Sequence, residues 1–281
     1  MTSGLLLFGY EVDMKIGIFD SGIGGVSVLN EALHKLPNEN YIFYADVDHV
    51  PYGLKTPEEI IGFTDSIVQE LLSQGVDALV IACNTATSVA ADYLRDKYDV
   101  PIIGMEPAVK PAVEASKSSG RVLVMATPVT IRENKLRSLL QKVDTDHMVD
   151  LLPMPGLVRF AESEVFDGLE VEAYIDEQLA IFDRSLYSEV VLGCTHFNYF
   201  KPAIKAAFEG TAKQEIEMID GNVGTIKHLA ERLGLEITET SFVNFEEANI
   251  TYLESGRIVP DGQQKDKYRR LHSRLEEVRA F

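Results

Sequence analysis

Cysteine occurs twice in this chain, as Cys83 in Ala-Leu-Val-Ile-Ala-Cys-Asn-Thr and as Cys194 in Val-Val-Leu-Gly-Cys-Thr-His. Each follows a short apolar run rich in β-branched residues, then one small residue, and precedes a polar group able to cap a helix. Such a run reads as a buried strand ending at the carboxyl edge of a sheet, where open α/β folds place their ligands. A thiol there, at a helix N-terminus or beside a histidine, can have its pKa lowered from about 8.5 and become reactive. Free cysteine is also among the most buried residue types and often only packs. The repeated polar sequel, Asn84-Thr85 and Thr195-His196, weighs against packing alone. A zinc site built from Cys83, Cys194 and His196 lacks an evident fourth ligand, which structural zinc requires.

Other stretches offer polar groups at similar positions. Asp20-Ser21-Gly22-Ile23-Gly24-Gly25 sets an acid, a hydroxyl and three glycines after the first apolar run. Its backbone N–H groups could cradle a carboxylate or phosphate. A dinucleotide fingerprint would need glycine where Ser27 stands, and the Lys-Ser/Thr pair of a phosphate loop is missing. A tight strand-to-helix turn explains the loop equally well. Pro51-Tyr52-Gly53 follows the polar stretch 46–49 and is either a ligand-facing loop or a plain turn. Thr127 and Thr130 offer hydroxyls, or serve as ordinary helix caps. Glu162, with Glu164 nearby, reads on its own as a surface carboxylate.

The elements that must position these residues follow from hydrophobic pattern. Strands are predicted at 15–19, 41–45, 78–82, 101–103, 121–126, 148–152, 189–193 and 215–219. Helices are predicted at 25–36, 57–74, 85–97, 107–117, 128–141, 170–183, 199–208 and 223–233, with a charged helix at 264–277. That alternation is the mark of βαβ units and a mostly parallel sheet. The two cysteine strands suggest an internal duplication, one strand and one thiol from each half. A chain of 281 residues, 46% of them hydrophobic, suits two modest domains, with a boundary near 107–111 where prolines cluster.

A net charge of −18 argues against nucleic acid or an anionic membrane as partner. An anionic ligand would have to be held locally, by helix N-termini and backbone N–H groups. No apolar run approaches the roughly 20 residues that span a bilayer. Residues 1–13 lack the positively charged start of a signal peptide and read as an extension or tail. Free thiols outside any Cys-x-x-Cys motif suit a reducing, cytoplasmic setting.

Together these motifs resemble the glutamate racemases of the aspartate/glutamate racemase superfamily. The matching pieces occur in the family's order: Asp20-Ser21-Gly22 with Gly24-Gly25, Pro51-Tyr52-Gly53, Cys83-Asn84-Thr85-Ala86, Ala126-Thr127 with Thr130, and Gly193-Cys194-Thr195-His196. The resemblance implies two similar, doubly wound α/β domains related by pseudo-twofold symmetry, with the site in the cleft between them. It divides the chain into 1–108 plus 220–281, carrying Cys83, and 109–219, carrying Cys194. It makes Cys83 and Cys194 the two acid/base thiols, assisted by Asp20 and His196, with Glu162 aligned to a carboxylate near the second cysteine. Asp20, Ser21, Tyr52, Gly53, Asn84, Thr85, Thr127, Thr195 and His196 match substrate-binding positions.

The activity so implied is interconversion of L- and D-glutamate without a cofactor or metal, D-glutamate going to peptidoglycan and the bacterial cell wall. Cys83 would work on the D-glutamate side and Cys194 on the L-glutamate side. The implied partner is the small-molecule substrate, and family members are often homodimers. Aspartate racemisation and a catalytically silent binding protein of the same fold stay open as alternatives. The sequence departs from the family pattern in three places. No basic residue of the usual kind precedes Pro51-Tyr52-Gly53 within 46–50, Asn198 stands where proline is usual, and 251–281 matches poorly.

Overall fold

Apolar runs buried on both faces become the inner strands of parallel sheets, and this chain builds two such sheets. The computed structural model describes residues 13–281 apart from 117–119, 212–214, 239, 241, 242, 244 and 246. The extension expected over 1–13 therefore lies, except for Asp13, outside the described residues.

The first sheet holds β1 (Lys15–Asp20), β2 (Asn40–Ala45), β3 (Ala78–Ile81), β4 (Ile102–Gly104), β9 (Ile250–Glu254) and β10 (Arg257–Ile258), in the order β10-β9-β2-β1-β3-β4. All its pairings are parallel except β9 with β10. The second holds β5 (Arg121–Ala126), β6 (Val149–Pro153), β7 (Tyr187–Gly193) and β8 (Glu217–Asp220), in the order β6-β5-β7-β8 and wholly parallel. The order β2-β1-β3-β4 thus recurs as β6-β5-β7-β8. Cys83 follows the third strand of one set and Cys194 the third strand of the other.

Helices cover both faces of each sheet. They are α1 (Val26–Lys35), α2 (Pro57–Ser73), α3 (Asn84–Lys97), α4 (Val109–Ser116), α5 (Pro128–Arg132), α6 (Asn134–Val143), α7 (Pro155–Glu162), α8 (Leu169–Leu179), α9 (Lys201–Phe208), α10 (Asn222–Leu233) and α11 (Gln263–Glu277). Alternate residues of β1 part to opposite cores: Ile16 and Ile18 pack with α1, α10 and α11, and Phe19 with α2 and α3. The larger core continues into the second sheet through Leu123, Met125, Val190 and Leu192. The opposite face of that sheet, Val122, Val124 and Val191, packs with α4 and α6. Every residue of α1 is buried, because α10, α11 and the turn after Cys194 all pack on it.

All eight expected strands form. The helix expected at 128–141 is instead two, since Glu133 turns extended (ψ 146°) between α5 and α6. The helix expected from 199 begins at Lys201 after a 3-10 turn over Thr195–Phe200. Pro202 suits that start, because the first turn of a helix has no use for its missing N–H. The helix expected at 170–183 closes earlier, at Leu179. The strands β9 and β10 and the helix α7 were not anticipated, and α7 carries Glu162. Among the described residues no helix is long and apolar enough to cross a membrane.

Candidate active site

The expected polar residues collect between the carboxyl ends of the two sheets. Parallel pairing sets Asp20 at the end of β1 beside Ala45 and Ala126 beside Gly193, so the residues after each strand emerge at one edge.

Cys83 caps the N-terminus of α3, its Sγ accepting from the Ala86 N–H at 3.4 Å. The thiol points to Ser21 Oγ at 3.8 Å, and Ser21 Oγ donates to Asp20 Oδ1 at 3.2 Å. Asp20 Oδ1 also accepts the Gly22 N–H at 3.1 Å, and its Oδ2 accepts Thr195 Oγ1 at 2.9 Å. A single buried carboxylate therefore bridges the Cys83 side to the residue next to Cys194. On that side Cys194 Sγ lies 3.7 Å from His196 Nδ1, and His196 Nε2 donates to Glu162 Oε1 at 2.6 Å. Glu162 Oε1 also accepts the Ile23 N–H at 2.9 Å, which ties α7 to the glycine loop. Read on its own as a surface carboxylate, Glu162 is instead 18% exposed and faces His196, on the side of the second cysteine where the resemblance aligned it.

The glycines of the loop are set by close approach. A Cβ on Gly22 would lie 1.9 Å from Glu162 Oε1, one on Gly24 2.4 Å from His196 Nδ1, and one on Gly25 2.5 Å from Asp20 Cβ. Each would occupy space that a polar side chain of the site already fills. Gly53 belongs to the same class, since its Cβ would meet Thr127 Cβ at 2.9 Å. That contact carries the Tyr52–Gly53 loop from the first sheet to the second. The hydroxyls of Thr85, Thr127 and Thr130 form a triangle, with Oγ1 atoms 2.8, 3.0 and 3.3 Å apart. Asn84 Oδ1 is buried and has no hydrogen-bond partner among the described residues. A buried acceptor left unpaired is costly, and a donor brought by a ligand would relieve it.

The electrostatics of the two sides differ. Burial pushes the Cys83 thiol well above its ordinary value, and the charges on Asp20 and Cys194 add to the rise, outweighing the Ala86 N–H. Burial likewise raises Asp20, against the lowering effect of His196 and Thr195. For His196 burial alone would lower the pKa, but hydrogen bonds to Cys194 and Glu162 prevail and hold it well above 6.5. Burial thus favours the protonated form of the Cys83 thiol, while Cys194 lies beside a histidine whose charged form is favoured.

Sequence reading gave no place to Asp46, whose carboxylate accepts Tyr52 Oη at 2.5 Å and Ser255 Oγ at 2.9 Å, nor to the bond from Tyr199 Oη to the Ile23 carbonyl at 3.1 Å. Asp46 had one signal, a carboxylate in the position after β2 that matches Asp20 near the end of β1. Among the described residues no three His, Cys, Asp or Glu side chains converge as a metal set.

The model of the Asp/Glu/Hydantoin racemase family matches residues 20–229. A glutamate racemase of Lachnospira eligens is 46% identical over 269 residues, which are 95% of this chain and 100% of that protein. Among solved structures, Escherichia coli glutamate racemase in complex with L-glutamate and activator UDP-MurNAc-ala aligns with a TM-score of 0.74 at 25% identity, covering 94% of this chain and 96% of that one. Glutamate racemase from Francisella tularensis in complex with D-glutamate aligns with a TM-score of 0.71 at 26% identity, covering 94% of each.

Proposed function

This chain belongs to the Asp/Glu/hydantoin racemase family, and from that premise we propose that it is a glutamate racemase working by proton transfer between the thiols of Cys83 and Cys194. The observation that carries the reading is the matched placement of the two cysteines. Each follows the third strand of a repeated strand order, and Asp20 and Thr195 bond across the gap between their settings. The relatives named above, one bound to L-glutamate and one to D-glutamate, support glutamate as the substrate.

Inversion at Cα needs a proton removed from one face and another delivered to the opposite face. A single base would return its own proton, so two groups of opposite protonation are required. With L-glutamate bound, the Cys194 thiolate takes the Cα proton while the Cys83 thiol gives its proton to the other face. The product is D-glutamate, with Cys194 now a thiol and Cys83 a thiolate, the state that runs the reverse reaction. His196 offsets charge on Cys194, and Glu162 keeps that imidazole charged and aimed. On the other side Ser21 and Asp20 orient Cys83.

An amino-acid Cα–H is a weak acid, so the remaining barrier falls to electrostatic stabilisation and water exclusion. On this reading the unpaired Asn84 Oδ1 accepts from the substrate ammonium, and the backbone N–H groups of Tyr52, Gly53 and Thr195 with the hydroxyls of Thr85 and Thr127 donate to its carboxylates. The bodies 1–108 with 220–281, and 109–219, are the units that would close over the substrate. On this reading the enzyme works in the cytoplasm and supplies D-glutamate for peptidoglycan.

The test follows circular dichroism and Cα deuterium exchange for each enantiomer of glutamate and aspartate, with wild type, Cys83→Ala and Cys194→Ala. Wild type should racemise glutamate, and each variant should lose racemisation in both directions. Normal racemisation by either variant would sink the two-thiol account. Faster turnover of aspartate would transfer the chemistry to the shorter acid, and a wild type without exchange would be a binding protein.

A further inference from the structure

Two stretches far apart in sequence, 46–50 and the segment from Thr251 onward, meet in space. Strand β9 lies parallel to β2 with Ala45 opposite Glu254, so the residues that follow, Asp46 and Ser255, emerge side by side at the edge that bears the site. The turn joining β9 to β10 is Ser255–Gly256, with φ of 44° and 78°. Two residues at positive φ match the twist of a tight hairpin, and the Ser255 N–H bonds the Ala45 carbonyl at 2.9 Å.

The Asp46 side chain is only 3% exposed, yet its carboxylate gathers three side-chain donors. Tyr52 Oη donates to Oδ2 at 2.5 Å, His49 Nδ1 lies 2.8 Å from Oδ1, and Ser255 Oγ donates to Oδ1 at 2.9 Å. Ser255 Oγ in turn accepts the Asp48 N–H at 3.0 Å. Outside this core Arg257 forks onto Asp48 at 2.7 and 2.8 Å, in the open. His49 stacks on Phe63 with ring centroids 3.9 Å apart, which fixes its side of the cluster.

What the carboxylate holds is the substrate loop. Burial and the Asp46 charge keep the Tyr52 phenol protonated and donating. The next residue, Gly53, presses on Thr127 from the second sheet. A shift of Tyr52 would therefore change the width of the cleft where the two sheets meet.

We propose that Asp46 is the positioning residue of the Tyr52–Gly53 loop and that the β9–β10 hairpin steadies it through Ser255, so that the C-terminal segment sets substrate affinity. This rests on the reading of the chain as a glutamate racemase. The hairpin takes no part in proton transfer, and its effect belongs in KM.

The test measures KM, kcat and thermal unfolding with L- and D-glutamate for Asp46→Asn, Ser255→Ala, Arg257→Ala and the pair Asp46→Asn with Tyr52→Phe. Asp46→Asn should raise KM about tenfold for both enantiomers, with kcat changed less than about threefold. Ser255→Ala, which removes one donor of three, should raise KM about threefold. Arg257→Ala should stay within about twofold of wild type, since exposed ion pairs contribute little. If Asp46 acts through Tyr52, adding Tyr52→Phe should raise KM by less than about twofold more.

A purely structural role would lower the melting temperature and the yield of active enzyme while leaving KM alone, and that outcome overturns the proposal. Should Asp46→Asn fail to fold, Ser255→Ala decides, and an unchanged KM there is also fatal. A wild type that does not racemise glutamate overturns the underlying reading instead.

Discussion

Replacing Glu162 with glutamine removes one negative charge while keeping shape and acceptor. Glu162 Oε1 receives His196 Nε2 at 2.6 Å and the Ile23 N–H at 2.9 Å, and an amide oxygen can accept both. Glu162 ends α7, where the helix dipole disfavours a carboxylate, so the imidazolium compensates the acid as much as the reverse. A charge-assisted hydrogen bond contributes ~1.5–3 kcal/mol against ~1 for a neutral one. The imidazolium should lose ~0.5–2 kcal/mol of support, making the charged histidine about 2- to 30-fold scarcer. Because His196 is held above 6.5, its charge is complete at low pH and lost as pH rises through the raised value. Glu162→Gln should bring that loss to lower pH. The assay is circular dichroism of each glutamate enantiomer from pH 6 to about 10. Since enantiomers are equally stable, kcat/KM must fall by the same factor in both directions. An unchanged kcat/KM with an unmoved alkaline limb would refute the electrostatic role.

Three further substitutions probe the same site and its support. Burial raises the Asp20 pKa, so its ionised form weakens the fold as pH rises from 3.8 through the folded value. Asp20→Asn should raise the melting temperature at pH 7 by about 2–4 °C while cutting racemisation at least about 100-fold, and a lower melting temperature would contradict this. Gly24→Ala places a methyl 2.4 Å from His196 Nδ1 and from Thr195 Oγ1. It should cost ~1–3 kcal/mol of stability and about 100-fold in turnover, read by urea melts and by activity. His272 is buried, bonded to Asn30 and Tyr252, and pushed down to about 3 by that burial. Its depressed pKa makes the contribution full above 6.5 and shrinking as pH falls. Stability should drop by about 2 kcal/mol between pH 6.5 and 5, and His272→Gln should flatten that slope in urea unfolding.

Local pattern alone determined eight of the ten strands among the described residues, β9 and β10 excepted, because parallel strands buried on both faces are apolar throughout and end in polar or glycine-rich turns. The Asp20, Cys83, Thr127 and Cys194 segments were legible for that reason, each lying just past such a run. Glu162 was not. Its partners are the Ile23 N–H and His196, set beside it by α7 crossing to the glycine loop, and nothing in the residues around 162 encodes that approach. Asp46 and Ser255 were hidden likewise, because their meeting depends on β9 adding to the edge of β2.

The glycines show the division at one point. Sequence marked Gly22, Gly24 and Gly25 as a turn, and only tertiary packing revealed that side chains of the site fill the space of each missing Cβ. Thiol chemistry was readable from residue type. That burial favours the protonated form of Cys83, and that Cys194 lies beside a histidine held in its charged form, depends on packing and on charges brought from distant parts of the chain.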